Sequence, residues 1–248
     1  MRIAALYDIH GNRPALDAVL GEVRAARVDR VVIGGDVIPG PMPLESFEAL
    51  AALDVPVDCI YGNGEHAVIE QLAGVDTTLV PAGVLPAIRW VASRLPADVA
   101  AMIRTWPLTL RIAHPVHGDI LFCHATPRND TELFTRRTPK SVLLPIFDAA
   151  DANIVVCGHT HMQVDRRVGR TRVLNAGSVG MPFGASGAYW LLVSDQICEL
   201  RRTSYDLERA AALIRGSEYP GAEAFASVNV LSPPPEETIL DSWRGKTL

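Results

Sequence analysis

Polar side chains follow five of the short apolar runs in this sequence, each close to the point where the run stops. They carry nitrogen or oxygen donors, and they are Asp8, His10, Asp36, Asn63, His124, His159 and His161. Imidazole, carboxylate and amide groups are donors that divalent transition metals accept. The set therefore predicts a metal centre that could activate water and polarise a phosphoryl group.

The number of donors indicates two metal ions. Seven donors exceed what one tetrahedral zinc takes from a protein, whereas two metals sharing a carboxylate would leave positions open for water and substrate. Asp36, at a tight strand exit, is the predicted bridge because its two oxygens can face two cations. Asn63, in "YGNGEH", would complete a metal shell without adding negative charge, and the flanking Gly62 and Gly64 would let the backbone turn sharply and approach closely.

Each donor taken alone also has a purely structural interpretation. A histidine after a strand is more often a hydrogen-bonded residue than a ligand, and an aspartate or asparagine there is usually a turn former or a helix cap. Their joint arrival at successive strand ends favours the metal centre, because D-x-H and H-x-H place two side chains on the same side of an extended chain. His114 and His117 fall in an apparent hairpin turn, and we assign them to solvent.

The first part of the sequence predicts a parallel sheet with helical crossovers. Apolar runs at 2–7, 30–35, 57–61, 119–124 and 153–158 predict strands buried on both faces. Helical patterns at 14–26 and 44–53 separate the first three runs, which predicts parallel βαβ units. Residues 83–106 are predicted to be helical, and residues 139–150 to form another crossover helix. Because ligands gather at the carboxyl ends of parallel strands, the donors are expected to converge.

The pattern changes after residue 158. Alternating apolar and polar residues separated by Gly or Asp turns predict a meander of antiparallel strands. A helix from about 206 to 214 follows, and the segment from about 230 to 248 is predicted to be an irregular tail. No Gly-rich, Ser-rich or charged linker divides the chain, so residues 1–248 are expected to form a single domain.

Composition limits the partners and the compartment. The chain has 23 basic and 28 acidic residues and a net charge of −5, which excludes a large cationic surface for duplex nucleic acid or an anionic membrane. A signal peptide and an 18-residue apolar run are both missing from the sequence, so a cytoplasmic location is expected. The four cysteines form no CxxC pair and are expected to be buried thiols; they are Cys59, Cys123, Cys157 and Cys198.

Five blocks in this order resemble the calcineurin-like metallophosphoesterases: "DIHGN", "GGDVIPGP", "YGNGEH", "CHATP" and "CGHTH". A further stretch, "NAGSVGMPFG", resembles one typical of the small bacterial and archaeal phosphodiesterase branch, so the likeness reaches from residue 8 to residue 184. The resemblance implies an α/β fold with a two-sheet β-sandwich flanked by helices, in four layers (αββα). It also implies two divalent metal ions, manganese first, with iron, zinc or nickel as alternatives.

The resemblance assigns roles by position. One metal would be held by Asp8, His10 and His161, the bridge would be Asp36, and the second metal would be held by Asn63, His124 and His159. A hydroxide between the two metals would attack phosphorus in line.

The sequence departs from the family pattern at one position. Many members carry a histidine directly after the asparagine, where it protonates the leaving oxygen, and here that residue is Gly64. His66 either replaces this acid or points to solvent, and Arg128 either contacts phosphate or is a surface residue. Without the acid, phosphodiesters or activated esters are favoured, and Gly64→His is expected to raise turnover of esters with poor leaving groups.

The sequence thus predicts a metal-dependent phosphoesterase acting on a small phosphate ester. One alternative is a catalytically weak or silent metal-binding scaffold of the same fold, although a full ligand set favours catalysis. Others are a phosphomonoesterase, a protein phosphatase or a dinucleoside-polyphosphate hydrolase. A metallo-β-lactamase-type hydrolase fits less well, because "HTHMQVD" has no histidine after the acid. The strands after residue 185 could offer an edge for a homo-oligomer.

Overall fold

The computed structural model describes residues 1–75 and 77–248. Within these residues the strands form two mixed five-stranded sheets. The first sheet has the order β10 (Cys198–Thr203), β9 (Ala188–Val193), β1 (Ile3–Leu6), β2 (Arg30–Ile33) and β3 (Val57–Cys59). The second has the order β4 (Thr109–His114), β5 (Gly118–Cys123), β6 (Ile154–Cys157), β8 (Thr171–Asn175) and β7 (Val164–Val168). The five strands expected from apolar runs are all present, but β3 lies at the edge of its sheet and is half-buried rather than buried on both faces.

Each sheet contains three neighbouring parallel strands. In the first sheet β1 pairs with β2, and β2 pairs with β3, all in parallel. In the second sheet β6 lies between β5 and β8, and both pairings are parallel. The carboxyl ends of these strands therefore lie at a common edge of each sheet, as the βαβ pattern predicts.

Helices cover the outer faces of the sheets. They are α1 (Arg13–Ala26), α2 (Pro43–Ala51), α3 (Asn63–Leu72), α4 (Leu85–Arg94), α5 (Ala97–Ile103), α6 (Lys140–Asp148), α7 (Leu207–Arg215), α8 (Ala222–Phe225) and α9 (Glu236–Ser242), with a 3₁₀ turn at Ala82–Val84 and a π-helix at Ala226–Leu231. The helical region expected at 83–106 is divided, because Leu95 precedes Pro96 and takes an extended conformation between α4 and α5.

Side chains alternate between the two faces of each strand, and the apolar side chains therefore form three separate layers of core around the two sheets. Ile3 and Ala5 of β1 pack with Ile154 and Val156 of β6 between the two sheets. The intervening side chains of β1 face α1, whose apolar stripe includes Leu16. On the far side of the second sheet, the outer residues of β5 and β6 pack on α6. The result is the expected four-layer αββα sandwich.

The expectation of one meander after residue 158 is wrong. The two hairpins belong to different sheets: β7 and β8 extend the second sheet, and β9 and β10 extend the first. Moreover, β8 is parallel to β6 and only its pairing with β7 is antiparallel. Alternating polarity identifies a strand with one covered face, but it does not identify the neighbouring strand.

The expectation of an irregular tail at 230–248 is also wrong. Helix α9 forms directly after the prolines, with Pro235 at its N-cap and Glu236 and Glu237 in its first turn. Acidic residues at a helix N-terminus favour its dipole. Arg136 and Arg137 form ion pairs with these glutamates and hold α9 against the body of the protein.

The structure also corrects the expectation that His114 and His117 lie in solvent. His114 is not in solvent: its ring is buried at the end of β4, where Nε2 lies 3.0 Å from the Met1 carbonyl oxygen. His117 is half-buried, with Nε2 2.7 Å from the carbonyl oxygen of Ser194. All four cysteines are free thiols, as expected, but only Cys123, Cys157 and Cys198 are buried, whereas Cys59 on the edge strand β3 is half-buried. None of the helices in residues 1–75 and 77–248 has the length and apolar character needed to span a bilayer.

Candidate metal centre

The structure brings the seven predicted ligands together at the carboxyl ends of the parallel strands. The first sheet supplies Asp8 and His10 after β1, Asp36 after β2, and Asn63 at the start of α3. The second sheet supplies the remaining three, which are His124 directly after β5 and His159 and His161 after β6. The candidate centre is therefore built where the two sheets meet.

Two groups of side chains are close enough to hold a cation, and Asp8 is common to both. Its Oδ1 atom lies 3.4 Å from Nε2 of His161, 3.9 Å from Nε2 of His10 and 3.9 Å from Nε2 of His124. One group is Asp8, His10 and His161, and the other is Asp8, Asp36 and His124. Each group could supply three donors to one ion.

Asp36 lies near a histidine of each group, one on each of its two carboxylate oxygens. Its Oδ2 atom lies 3.6 Å from Nε2 of His10, and its Oδ1 atom lies 3.7 Å from Nε2 of His124. Asn63 points at the same histidine, with its Oδ1 atom 3.0 Å from Nε2 of His124. The ring of His159 packs on that of His124 at 5.1 Å between centroids. These contacts link all seven side chains in one cluster.

Backbone carbonyl groups set the orientation of three of the histidines. The Nδ1 atoms of His10, His124 and His161 lie 3.1, 2.8 and 2.7 Å from the carbonyl oxygens of Pro39, Gly34 and Met181. An Nδ1–H that donates to a carbonyl leaves Nε2 with a lone pair for a metal.

The arrangement fits a divalent cation better than it fits a site without one. The Nε2 atoms of His10 and His161 are only 3.2 Å apart, and the buried Oδ1 atom of Asp8 has no hydrogen-bond partner. Buried polar atoms are normally satisfied. A bound cation would satisfy both the unpaired carboxylate oxygen and the nitrogen lone pairs that point toward it.

The backbone at the ligands is unusual. Among the described non-glycine residues, seven have positive φ, and five of them are predicted ligands: Asp8 (53°), His10 (49°), Asp36 (54°), His159 (65°) and His161 (57°). Such residues carry a conformational cost that the surrounding structure must offset. The cost is concentrated at the candidate centre, which supports a functional role for it.

Glu65 is a site residue that the sequence analysis did not identify. Its buried carboxylate accepts hydrogen bonds from the backbone N–H groups of Asp36, Val37, Ile38 and Gly62 at 2.6 to 3.2 Å. Burial, followed by the charge of Asp36, raises the pKa of Glu65 to about 7, and the backbone donors oppose this rise. Glu65 thus fixes the loop that presents Asp36, and its place two residues after Asn63 was the available signal.

The stretch "NAGSVGMPFG" supports the centre without supplying a ligand. Asn175 donates from Nδ2 to the carbonyl oxygen of Gly158, at 2.6 Å, in the loop that carries His159. The hydroxyl of Ser178 donates to the carbonyl oxygen of Asp8 at 2.7 Å. Buried hydrogen bonds of this kind hold two ligand loops in place.

The glycines beside Asn63 are required for close approach. Gly62 has a φ of −109°, and Gly64 lies within α3, so neither uses the positive-φ freedom expected of a sharp turn. A Cβ atom on Gly64 would lie 2.3 Å from Cγ of Pro39 and 2.7 Å from Oδ1 of Asp36. The Gly64→His side chain would therefore require Pro39 and Asp36 to shift, and the expectation that it raises turnover of esters with poor leaving groups stays a prediction.

His66 and Arg128, the two other candidate residues of the sequence, contact residues outside the cluster. His66 lies on α3 with Nδ1 3.3 Å from Oδ2 of Asp130, and its ring meets that of Tyr61. The guanidinium of Arg128 pairs with Glu132 on the surface. Neither makes a described contact with the seven ligands, and a role for either in catalysis stays a prediction.

Burial and charge shift the pKa values of the ligands in different directions. Burial lowers the pKa of His159 to about 4 and also lowers that of His10. For His124 and His161 burial acts in the same direction, but the carboxylates of the centre outweigh it and raise both pKa values. For Asp8 burial favours the neutral form, but the histidines outweigh it and hold its pKa well below the usual range.

These shifts predict how metal binding responds to pH. We expect Mn²⁺ to raise the midpoint of thermal unfolding, since an ion at 100 times its Kd adds about 2.7 kcal/mol to the free energy of unfolding. Metals bind neutral imidazole, so the raised pKa values of His124 and His161 should weaken this effect as the pH falls, beginning above the ordinary histidine pKa of about 6.5. Thermal unfolding with Mn²⁺ or a chelator measures it, and a pH-independent effect would contradict the ligand assignment.

Comparisons with known proteins identify the family of the chain. The sequence model of the calcineurin-like phosphoesterase superfamily domain matches residues 1–196. An uncharacterized protein of Methanocaldococcus jannaschii, MJ0912, is 24% identical over an alignment of 238 positions that covers 88% of this chain and 93% of that protein.

Two solved structures share the fold. Hypothetical protein PH1004 from Pyrococcus horikoshii has a TM-score of 0.79 at 19% identity, covering 94% of this chain and 99% of that one. A metallophosphoesterase from Sphaerobacter thermophilus has a TM-score of 0.73 at 23% identity, covering 93% and 99%. With the family match extending over most of the sequence, the chain belongs to the calcineurin-like phosphoesterase superfamily.

Proposed function

We propose that the protein hydrolyses phosphodiesters or activated phosphate esters with two divalent metal ions, manganese first and iron, zinc or nickel as alternatives. The observation that carries the proposal is the paired arrangement of the carboxylates. Asp8 Oδ1 lies among three histidines, and the two oxygens of Asp36 each face a different histidine. A single ion would leave part of this donor set unused.

The ligands divide between the two ions. Asp8, His10 and His161 would hold one, Asn63, His124 and His159 would hold the other, and Asp36 would reach both. The ions would lower the pKa of a water molecule to supply the nucleophile and would neutralise charge on the phosphoryl oxygens.

The protein's own groups position this chemistry. The carbonyl contacts of the histidines and the hydrogen bonds of Glu65 fix donor directions before substrate arrives, so little reorganisation accompanies the reaction. Gly64 has no side chain at the position where many members of the family carry a histidine that acts as the general acid. A leaving group of low pKa departs without a proton, and this favours diesters and activated esters.

Hydrolysis of two model esters tests the proposal. Metal-stripped protein is assayed with bis-p-nitrophenyl phosphate and with p-nitrophenyl phosphate, with and without Mn²⁺. We expect Mn²⁺-dependent turnover that favours the diester, and its loss in Asn63→Ala, which removes the oxygen that faces His124.

Two results would overturn parts of this assignment. A preference for the monoester would indicate a phosphomonoesterase. Binding of two ions without turnover of either ester would instead indicate the scaffold that the sequence analysis kept as an alternative. Circular dichroism of Asn63→Ala is the control for folding.

A further inference from the structure

A cleft of about 430 Å³ opens directly beside the candidate metal centre. His10, Asp36 and Asn63 lie at one end of it. Its volume is within the range of small-molecule sites, about 300 to 1,000 Å³. The cleft is therefore a place where the organic part of a bound ester can lie while its phosphoryl group reaches the metals.

Two helical segments from distant parts of the sequence form the walls. One wall comes from the 3₁₀ turn and α4, and the other from the segment before α8, α8 itself and the π-helix. The side chains that shape it are mostly apolar: Val80, Val84, Ile88, Tyr219, Phe225 and Val228.

The two walls are fastened to each other. The ring of Trp90, on α4, meets the ring of Tyr219 edge to face, with 5.5 Å between centroids. Arg94 of α4 also forms an ion pair with Glu218. Aromatic contacts of this kind stabilise a preformed site, so the cleft does not have to be assembled by the substrate.

The charge of the lining restricts what can bind. Among the described residues that line the cleft, the only titratable carboxylate or imidazole groups are Asp36 and His10 of the metal centre, and no lysine or arginine is present. A charged group placed in the cleft would lose water without gaining a partner, which is costly. An apolar group would be favoured there.

From this geometry we propose that the cleft binds the uncharged, largely apolar alcohol group of the ester, an aromatic ring above all. The inference rests on the proposed function, and it names the class of substrate for the same site. Esters with further phosphates or carboxylates, such as dinucleoside polyphosphates and phosphoproteins with charged flanking residues, are poor substrates. A diester with one apolar substituent can place its phosphoryl group at the metals and that substituent in the cleft.

Phosphonates test the cleft separately from catalysis, because their P–C bond is not hydrolysed. Binding to Mn²⁺-loaded protein is measured by calorimetry for methylphosphonate, phenylphosphonate and 4-carboxyphenylphosphonate. Since the three share one phosphorus group, differences in affinity report on the organic group. We expect phenylphosphonate to bind about tenfold more tightly than methylphosphonate, because the ring is removed from water, and the carboxylated ring to lose this gain.

Variants at the mouth of the cleft locate the effect. Val84 and Val228 are 40% and 44% exposed, so a charge there does not disturb the core. Val84→Glu and Val228→Glu should remove most of the preference for the phenyl group and leave methylphosphonate unchanged. Val142→Glu is the matched control, since Val142 is 39% exposed on α6 away from the cleft, and it should change neither affinity.

The possible outcomes separate the two proposals. Equal affinities for methyl- and phenylphosphonate in the unmodified protein would overturn the cleft assignment even if esters are hydrolysed. A phenyl preference that is lost in the two cleft variants, without hydrolysis of any ester, would uphold the cleft and overturn the proposed function. Failure of both phosphonates to bind metal-loaded protein would overturn the cleft assignment, and hydrolysis of the two model esters alone would then decide the proposed function.

Discussion

Asp36→Asn should lower kcat/KM for the preferred ester by about 10³-fold or more and leave the protein folded. The asparagine can keep an oxygen for the N–H of Gly64, which donates to Oδ1 of Asp36 at 2.7 Å. It cannot present a second oxygen toward His10, where Oδ2 now lies. Losing one metal-facing oxygen removes several kcal/mol of stabilisation of the transition state, and each 1.36 kcal/mol is about tenfold in rate.

Two measurements and one control make this result interpretable. Steady-state kinetics at saturating Mn²⁺ gives kcat/KM, and elemental analysis gives the number of metal ions bound per chain. Asp17→Asn is the control, because Asp17 is an exposed residue of α1 paired with Arg13. Near-normal kinetics in Asp36→Asn would show that Asp36 does not join the two halves of the centre.

Glu65→Gln should lower the free energy of unfolding by about 2 to 6 kcal/mol although the two side chains have almost the same shape. Each carboxylate oxygen of Glu65 accepts two backbone N–H groups. An amide can accept on one side only, and its NH₂ group would face two donors. Leaving a buried donor unsatisfied costs about 1 to 3 kcal/mol for each group, so two such donors give the expected loss.

Urea unfolding measures this loss without added metal, which separates it from ligand binding. Glu70→Gln is the matched control because Glu70 is half-buried on the same helix and makes none of these backbone contacts. A second readout distinguishes positioning from bulk stability. At a temperature where Glu65→Gln is still folded, its affinity for Mn²⁺ should be weakened because the Asp36 loop has lost its support. Unchanged stability and affinity would contradict the role assigned to Glu65.

Much of the centre was predictable because its signals are local. Each ligand follows a strand by one to four residues, and parallel strands bring their carboxyl ends to one edge of a sheet. Asp8 and Asp36 could therefore be placed together before any distance was known, and so could His124 and His159, whereas the meeting of the two sheets followed only from the resemblance. The same rule gave the βαβ order and both buried faces of β1 and β6.

The features that sequence patterns missed depend on contacts between distant segments. The cleft joins Val84 to Val228, and no local period connects residues so far apart. The sheet that β9 joins was missed for the same reason, since its partner β1 lies at the other end of the chain. Glu65 was overlooked because a glutamate in the first turn of a helix normally indicates a cap, whereas here it also binds a neighbouring loop.

Because the backbone has a positive φ at five predicted ligands, two requirements restrict which residues can occupy these positions. One is the backbone conformation, and the other is metal binding. Asparagine, aspartate and glycine tolerate positive φ, whereas β-branched residues do not. A substitution such as His159→Val would therefore be disfavoured by folding even in a relative that had lost its catalytic role. Glycine is the replacement that distinguishes the two requirements, because it adopts a positive φ easily and offers no side chain to a metal. Relatives with glycine at the positions of Asp8, His10, Asp36, His159 or His161 would be those in which the fold was retained after selection for catalysis had ended.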